Sequence, residues 1–488
     1  MSSTAATIWI AAAAAIALAA CAQSPNSSTS TSQDANVITV PTSGTIESIS
    51  TSPLPLIPAF SESIDDYYVT CGSGSNALAV TVDDAAGEST SMYAVPVNDA
   101  VAVGDYWIRC LPPDFPAITV TAHPDVGSAT TGYYLVTSVP YAAVLDIHGT
   151  PIWYEAAESA CDLESFATDT LSYMPNAEYP YAFDPSTMFE VEQLDGSAGS
   201  TLVLQSPDAP TNEHELRLLA NGDYLIFADQ ITAHVDLTGL GTFGSDEFID
   251  DCKVEELDPS GALVWSWLGS QHIDAVQESL LQTTNVFDGM TVDDVFHCNA
   301  IDVGSAGDLL ISSRHASALY DIDKATGTVQ WKLGGTAYNK DGAPHIAVVN
   351  DPQGGFNLQH DARFLANGDI SLFDDHGLDG GSGSGVARGI ELAVDHAAGS
   401  ATIVWQALGE EESQYEGSFR RYADGDSVVG WGYLIGDPRI LTEFDAAGSD
   451  VLDIAFTLAT TFDELSYRAV KVPLTQLDHD VLRATAAQ

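Results

Sequence analysis

Positive charge is scarce in this sequence. Its 488 residues include 15 Lys and Arg against 69 Asp and Glu, which gives a formal net charge of −54. A surface of this kind repels phosphate backbones, so the composition argues against nucleic acid as a partner. We interpret most of the carboxylates as a solvating layer suited to a saline or extracellular medium. Because cations are rare, an arginine beside histidines in an apolar strand becomes a candidate functional residue.

Motifs of several other protein classes are missing. No cysteine stands in a CxxC or Cys/His metal-binding spacing, and the Cys-x-Pro-x-Arg signature of formylglycine sulfatases is absent. The glycine-rich run 377–385 is followed by neither a helix pattern nor a lysine, which argues against a phosphate-binding loop. Apolar residues make up 45% of the chain and fall in short runs of β-branched and aromatic residues. This composition favours an all-β fold.

Residues 1–21 form an apolar run too short to span a bilayer comfortably, ending in Leu18-Ala19-Ala20-Cys21. The run resembles a bacterial lipobox, which predicts cleavage before Cys21 and attachment of the chain to a membrane through lipid on that cysteine. An uncleaved anchor is the alternative. Either interpretation puts the chain outside the cytoplasm, in the periplasm, at the outer membrane or on the cell surface. Residues 22–58 are rich in Ser and Thr and predict a flexible linker.

Five cysteines remain once Cys21 is set aside, and an exported protein permits disulfides between them. Spacing alone does not fix the connectivity. The pairing that we favour leaves one free thiol: Cys71 with Cys110, Cys161 with Cys252, and Cys298 unpaired.

A loose internal repeat organises the rest of the chain. Turns at Gly307, Gly368 and Gly425 each precede an apolar strand and recur at intervals of about 60 residues, alternating with strands that carry tryptophan after a Gly turn. About six such units fit, within the usual size of a β-propeller. We predict a six-bladed propeller over 131–488, preceded by a small β-sandwich over 59–130. A two-sheet sandwich is the structural alternative, but it does not explain the period.

Three histidines occupy comparable positions of this repeat, because His214, His297 and His360 each stand seven to ten residues before a repeat turn. A single histidine on an apolar strand is usually a core residue, but three at one phase together with Arg314 indicate a site. Such a set suits anion binding, group transfer or a metal. Since Arg314 opposes a divalent cation and favours a tetrahedral oxyanion, we predict that no metal is bound.

The stretches DVFHCNAIDVGSAGDLLISSRHASALYDIDKATGTVQWKLGG and FNLQHDARFLANGDISLFDDHG resemble the bacterial arylsulfate sulfotransferase family. That family transfers sulfuryl groups without the nucleotide donor of cytosolic sulfotransferases. The resemblance implies a six-bladed propeller with an N-terminal sandwich, as the repeats do. It also implies that His360 is the nucleophile that becomes sulfated, with His214, His297, Asn299 and Arg314 around it.

The resemblance implies ping-pong transfer from a phenolic sulfate to another phenol, with no cofactor. Arg314, His214 and Asn299 would donate to the sulfuryl oxygens, where charge builds up in a loose transition state. His297, or next His214, would protonate the departing phenolate. We expect Tyr467 to contact the substrate, and a structural role in closing the propeller is the alternative.

The remaining signals are weaker. Asp361 should point away from His360 on its strand and be structural, while His315 beside Arg314 is ambiguous. We expect surface roles for the other histidines: His123, His148, His234, His272, His345, His376, His396 and His479. Two alternative functions remain, a quinoprotein-like dehydrogenase, which would need vicinal cysteines that the chain lacks, and a non-catalytic surface propeller that binds a polysaccharide or a protein. The sequence leaves the oligomeric state open.

Overall fold

The computed structural model describes residues 36–138, 140–157, 159–177, 183–195, 201–280, 283–287, 289–377, 385–434, 437–457 and 466–485. Regular structure in these ranges is nearly all β-strand, so the all-β prediction is confirmed. Helix is limited there to a 3-10 turn, Gly269–Gln271, and two short α-helices, α1 (Ala275–Glu278) and α2 (His479–Thr485). None of the helices in the described ranges is long and apolar enough to cross a membrane. The predicted signal peptide and Cys21 lie outside these ranges.

The N-terminal part consists of eight strands: β1 (Val37–Val40), β2 (Ile46–Ser52), β3 (Asp66–Thr70), β4 (Ser75–Asp84), β5 (Gly87–Pro96), β6 (Ala100–Val103), β7 (Tyr106–Leu111) and β8 (Ala117–Ala122). Seven of them form two sheets, with strand orders β1-β6-β7-β3 and β2-β4-β5. Side chains of both sheets share one buried cluster, and in β4 the buried residues Leu78, Val80 and Val82 alternate with more exposed ones, as a half-buried strand requires.

The predicted flexible linker 22–58 is wrong in its second half. Strand β1 pairs with β6 and β2 pairs with β4, so residues 37–52 belong to the N-terminal sheets. The side chains show why: Val40, Ile46 and Ile49 are buried in the shared cluster. Their burial stabilises the strands even though most residues between them are polar. Residues 22–35 lie outside the described ranges.

Beyond residue 131 the chain forms sheets of strands that follow one another in sequence. The first strands are β9 (Tyr133–Ser138), β10 (Tyr141–Leu145), β11 (Pro151–Ala156), β12 (Cys161–Glu164), β13 (Thr170–Met174), β14 (Phe189–Gln193), β15 (Leu202–Leu204), β16 (Thr211–Leu218), β17 (Tyr224–Val235), β18 (Glu247–Leu257), β19 (Leu263–Leu268), β20 (Thr283–Phe287) and β21 (Met290–Asp294). The later strands are β22 (Cys298–Val303), β23 (Leu309–Ser313), β24 (Ala318–Ile322), β25 (Val329–Gly334), β26 (His345–Val348), β27 (His360–Phe364), β28 (Ile370–Asp374), β29 (Arg388–Asp395), β30 (Ser400–Leu408), β31 (Ser418–Arg421), β32 (Ser427–Gly430), β33 (Arg439–Phe444), β34 (Asp450–Thr457) and β35 (Ala469–Val472).

These strands group into six successive antiparallel units within the described ranges. Five units are consecutive in sequence: β12–β15, β16–β19, β22–β25, β27–β30 and β31–β34. The sixth joins β9–β11 to β35, so the end of the chain closes the first sheet. The short β26 bridges β25 and β30, and β8 of the N-terminal part adds to the edge of β34.

The repeat turns lie where the sequence predicted, between the first and second strands of their units. Gly222, Gly307, Gly368 and Gly425 have φ of 92°, 92°, 90° and 94°, a region that glycine enters without steric cost. The tryptophan signatures fall on the outer strand of four of the six units, in β11, β19, β25 and β30. The sequence repeat therefore corresponds to a hairpin and an outer strand that recur from unit to unit.

Neighbouring units are held together by the apolar faces of their sheets. Val254 of β18 and Trp267 of β19 pack in one cluster with Ile311 of β23 and Tyr320 of β24, all at most 4% exposed. Burying one large apolar side chain contributes about 1.5–3 kcal/mol, so this contact stabilises the junction strongly. Trp267 also donates its indole N–H to the carbonyl of Gly327 at 2.9 Å, which fixes the register of the two units.

The disulfides agree with the sequence prediction in one case and differ in the other. Cys71 and Cys110 are bonded in the N-terminal part, as predicted. The predicted bond between Cys161 and Cys252 is wrong, because Cys252 is bonded to Cys298, with Cα atoms 5.7 Å apart, and Cys161 is a free thiol. Cys252 lies in the third strand of one unit and Cys298 begins the next unit, so the bond ties two adjacent sheets together.

Candidate active site

Three histidines from three successive units meet at one place. His214 lies in β16, His297 directly precedes β22 and His360 begins β27. One ring nitrogen of each lies within 4.8 Å of the others, and the rings of His214 and His297 are 4.9 Å apart, edge to face. Relative exposure is only 7% for His214 and 2% for His360. We call these three residues the histidine centre.

Each ring of the histidine centre is oriented through its Nδ1 atom. Nδ1 of His360 is 2.8 Å from Asp375 Oδ2, and Nδ1 of His297 is 2.6 Å from Asp294 Oδ2. Nδ1 of His214 is 2.7 Å from Oδ1 of Asn212. A carboxylate or an amide oxygen only accepts hydrogen bonds, so each Nδ1 carries the proton and each Nε2 remains available to the centre.

Arg314 follows β23 and is held beside His360. Its Nη2 donates to the carbonyl of Gln414 at 2.9 Å, and its Nε lies 3.9 Å from the same Asp375 oxygen that binds His360. Nη1 lies 3.2 Å from Nε2 of His315, whose Nδ1 contacts the carbonyl of Asp294. One carboxylate therefore positions both the guanidinium and the imidazole, and His315 supports Arg314.

Asn299 and Tyr467 lie behind the histidine centre. The fully buried Asn299 donates Nδ2–H to the carbonyl of Gln359 at 2.7 Å. The Tyr467 hydroxyl donates to the carbonyl of His214 at 2.6 Å, and its ring lies 5.9 Å from that of His214. These bonds hold the backbone that carries His360 and His214, and the substrate contacts expected for both residues stay predictions.

Irregularities in the first strand of four units aim these side chains. The pairing register shifts at Cys161–Glu164, Asn212–Leu216, Cys298–Ala300 and His360–Arg363. A bulge of this kind turns a strand residue away from its regular direction, and it recurs next to functional sites. His297 and Asp361 have φ of 46° and 55°, a conformation rarely adopted by residues other than glycine. The irregular parts of these first strands therefore coincide with the candidate active site.

A buried network of charged side chains lies beneath the histidine centre. Asp361 accepts from Arg363, Arg420 and the backbone N–H of Phe419, and Glu215 accepts from Arg363 and Arg468. Burial favours the neutral acid, but Arg420 and Arg363 hold the pKa of Asp361 below its usual value. The structural role predicted for Asp361 agrees with these contacts. We call this set the charge network: Asp162, Glu215, Asp361, Arg363, Arg420 and Arg468.

Two imidazoles of the histidine centre, those of His360 and His214, are held uncharged over the neutral range. Burial, and then the positive charge of Arg314, hold the pKa of His360 well below 6.5, and burial does the same for His214. Burial lowers the pKa of His315 to about 3. A neutral imidazole is a competent nucleophile, whereas imidazolium has no free lone pair. The site therefore supplies a ready nucleophile beside a permanent positive charge.

Two carboxyl groups beside the histidine centre have pKa values above those of ordinary surface acids. Burial and then the charge of Asp229 raise the pKa of Glu213 to about 8, and Oε1 of Glu213 lies 3.8 Å from Nδ1 of His214. Burial also raises the pKa of Glu416 to about 8, against the opposing effect of Arg314. Both groups are therefore mostly protonated and neutral at pH 7.

A cavity opens beside His214 and His297. Phe183 and Phe227 contribute aromatic surface to it, and Asp229, Asp250 and the Cys252–Cys298 disulfide also line it. Most of the other lining side chains are polar, and several of them are carboxylates. The cavity therefore places two aromatic rings near His214 and His297, among acidic groups.

Sequence reasoning missed Asp294 and Asp375, which orient His297 and His360. Asp294 stands three residues before His297. Asp375 follows β28, and the hairpin that pairs His360 with Phe373 brings it back to the imidazole. The pairing register of the hairpin between β27 and β28 links the two residues, and this register becomes visible only in the structure. The surface role predicted for His376 is wrong, because this residue is buried and its Nδ1 lies 3.0 Å from Asp374 Oδ1.

The described residues define an almost all-β chain whose successive sheets bring neutral imidazoles and one guanidinium to a buried centre, as an enzyme that transfers an anionic group requires. The family profile for arylsulfotransferase (ASST) matches residues 187–457. Because this match spans more than half of the sequence, the chain belongs to the arylsulfotransferase family, and the resemblance found in the sequence is confirmed. The matched range contains the histidine centre, Asn299 and Arg314. Membership supports arylsulfotransferase activity in general.

Comparison with other proteins adds little to this assignment. No curated protein sequence matches the chain significantly. A protein of unknown function from Bacteroides caccae is 11% identical over 70% of this chain and 99% of its own, with a TM-score of 0.41. TolB from Acinetobacter baumannii is 11% identical over 90% and 97%, with a TM-score of 0.37. Virginiamycin B lyase from Staphylococcus aureus is 9% identical over 71% and 90%, with a TM-score of 0.33.

Proposed function

We propose that this protein moves a sulfuryl group from a phenolic sulfate ester to another phenol through a sulfohistidine at His360, by ping-pong kinetics and without a cofactor. One observation carries the proposal: His360 is neutral, donates Nδ1–H to Asp375 and keeps its Nε2 lone pair beside Arg314. The two alternatives, a quinoprotein-like dehydrogenase and a non-catalytic propeller, are not favoured by the family match.

In the first half-reaction, Nε2 of His360 attacks the sulfur while the bond from sulfur to the aryl oxygen breaks. The bonding electrons leave with the phenolate, which takes a proton from His297. Asp294 compensates the charge that His297 carries while it holds that proton. Asp375 does the same for the sulfated imidazole, whose ring becomes cationic. Arg314 stabilises the negative charge spread over the sulfuryl oxygens.

The second half-reaction reverses these steps with an acceptor phenol. His297, or next His214, takes the phenolic proton, the phenolate oxygen attacks the sulfur, and the bond to His360 breaks with its electrons returning to Nε2. His214 is suited to accept that proton because its own Nδ1–H is engaged by Asn212 and its Nε2 carries a lone pair. We assign Asn299 and Tyr467 the task of holding the backbone beside the histidines, and Phe183 and Phe227 that of receiving the aryl ring.

We also propose that the six antiparallel units are the blades of one propeller and that the two N-terminal sheets form a sandwich before it. The closure of the first sheet by β35 supports this arrangement. Export and lipid attachment at Cys21 are proposed with it, and two disulfides fit an oxidising compartment. Membrane fractionation of the wild type and Cys21→Ala tests the anchor, because the variant should move to the soluble fraction.

Rapid mixing with a chromogenic aryl sulfate tests the mechanism. Donor alone should release about one equivalent of phenol per site in a burst, and a peptide containing His360 should gain the mass of one SO₃ group. His360→Ala should abolish both half-reactions, and Arg314→Ala should slow both by about 100-fold or more. The exposed His396→Ala serves as the matched control. Intersecting lines in a two-substrate rate plot, with no mass gain on the His360 peptide, would show direct transfer.

A further inference from the structure

The hydrogen bonds of the histidine centre leave three ring nitrogens facing one another. Because Asp375, Asp294 and Asn212 occupy the Nδ1 atoms of His360, His297 and His214, each ring turns its Nε2 toward the same space. Three nitrogens that converge in this way need a proton or a cation between them. The proposed sulfuryl transfer uses one proton on His297 and therefore leaves this arrangement only partly explained.

We propose that the histidine centre also binds a divalent transition ion of the zinc class, and that this ion and a sulfuryl group on His360 exclude one another. The ion would be held by His214, His297 and His360. Exclusion rests on the proposed function, because the lone pair that would coordinate the ion is the one that attacks sulfur. Binding of the ion rests on the geometry alone.

The spacing of the rings suits such an ion. One nitrogen of each histidine lies within 4.8 Å of the others, and nitrogens around a tetrahedral zinc are about 3.4 Å apart, so small side-chain movements complete the site. Three protein ligands with an open fourth position are typical of zinc sites that keep room for a small ligand. The centre also has the outer partners of such sites, since ligating histidines usually donate their second N–H to a carboxylate or carbonyl oxygen.

The charges around the centre are mixed. The sequence argument against a metal considered the positive charge of Arg314, and the fold brings two carboxylates next to the same histidines. Asp294 lies 2.6 Å from His297, and Asp375 lies 2.8 Å from His360 and 3.9 Å from Nε of Arg314. These two carboxylates offset the positive charges of Arg314 and Arg468, which both act on His214 and His360.

Two other groups of side chains in the described ranges are close enough to share an ion, and both are poorer candidates. His315 could join Asp294 and His297, but its Nδ1 contacts the Asp294 carbonyl and its Nε2 contacts Arg314, so neither nitrogen is open. His123 with Asp450 and Asp453 forms an ordinary ion pair at 3.1 Å on the half-exposed edge of β34.

Cobalt(II) is a suitable probe, because it takes the place of zinc and absorbs visible light when it is bound by histidines. Full-length protein treated with a chelator is titrated with cobalt chloride, without substrate, and followed by absorbance and calorimetry. We expect one equivalent to bind, and His214→Gln or His297→Gln to weaken binding by about 100-fold or more, since outer partners alone are worth 10- to 100-fold. His123→Gln is the matched control and should bind as the wild type does.

Exclusion is tested on the same protein. Zinc chloride should suppress the phenol burst, a chelator should restore it, and protein preloaded with donor should not take up cobalt. No binding in the wild type, or binding that survives both His214→Gln and His297→Gln, would overturn the site. A burst that zinc leaves unchanged or accelerates would overturn the exclusion. Cobalt binding in a protein that shows no burst even without metal would leave the site intact and refute the proposed function.

Discussion

Replacing Asp375 by Asn tests the assignment of His360 most directly. The substitution keeps the size of the side chain and removes the charge that lies 2.8 Å from Nδ1 of His360. A hydrogen bond to a charged group contributes about 1.5–3 kcal/mol. Because each 1.36 kcal/mol changes a rate tenfold, the burst of phenol should slow by about 10- to 150-fold. The sulfated ring is cationic, so the bond matters more in the transition state than before it.

The assay is rapid mixing of enzyme and chromogenic aryl sulfate, with the burst rate and the burst amplitude fitted separately. Asp375→Asn should lower the rate while the amplitude stays close to one equivalent per site. The matched control is Asp246→Asn, because Asp246 contacts Nδ1 of His234 at 2.7 Å in an exposed pair outside the histidine centre. Thermal unfolding of both variants separates a loss of rate from a loss of fold.

Asp375 also lies near Arg314, so the variant has a second expected effect. The guanidinium loses a neighbouring negative charge at 3.9 Å, and donor binding should weaken little or not at all as a result. A burst at the wild-type rate with wild-type stability would mean that the carboxylate does not orient the nucleophile. A fall in amplitude with an unchanged rate would mean that it serves folding alone.

Two further predictions concern pH and the second disulfide. Because burial and Arg314 hold the pKa of His360 well below 6.5, the burst rate should stay flat as the pH falls through 6.5, where a free imidazole would lose half its activity. The same shift means that the unfolded chain binds more protons below pH 6.5, so unfolding midpoints measured in a pH series should decline there. Replacing Cys252 and Cys298 by Ser should lower the free energy of unfolding by up to about 4 kcal/mol for a loop of this length and also slow the burst, because His297 adjoins the bond. Removing the N-terminal disulfide should lower stability without slowing the burst; equal effects of the two pairs on rate would contradict the local role.

Much of the fold could be predicted because its signals are local. A glycine at φ near 90° follows the first strand in four of the six units, so it marks the repeated hairpin in the sequence. The phase of His214, His297 and His360 against those turns was enough to place them together. The linker prediction failed because the apolar residues of β1 and β2 are spaced among Ser and Thr, and their burial depends on strands far along the sequence.

The partners of the site could not be predicted in the same way. Asp375 reaches His360 only because the hairpin between β27 and β28 sets their register, and the bulge at His360–Arg363 turns the ring toward it. Arg420 reaches Asp361 from the next unit, 59 residues along the chain, and Arg363 reaches Glu215 over a separation of 148 residues. Cys298 pairs with Cys252 because their two sheets lie side by side. The spacing of the repeat along the sequence does not indicate which residues of adjacent sheets are in contact.

The charge network gives the pocket a floor. Its buried carboxylates and arginines are bonded to one another across β12, β16, β27 and β31 and to Arg468 before β35, so they fill the space under the histidines. Because these residues close the pocket on one side, the proposed transfer would use the same opening for both phenols. Under the ping-pong mechanism proposed above, the first phenol would leave by the route through which the second arrives, and the sulfuryl group would stay on His360 in between.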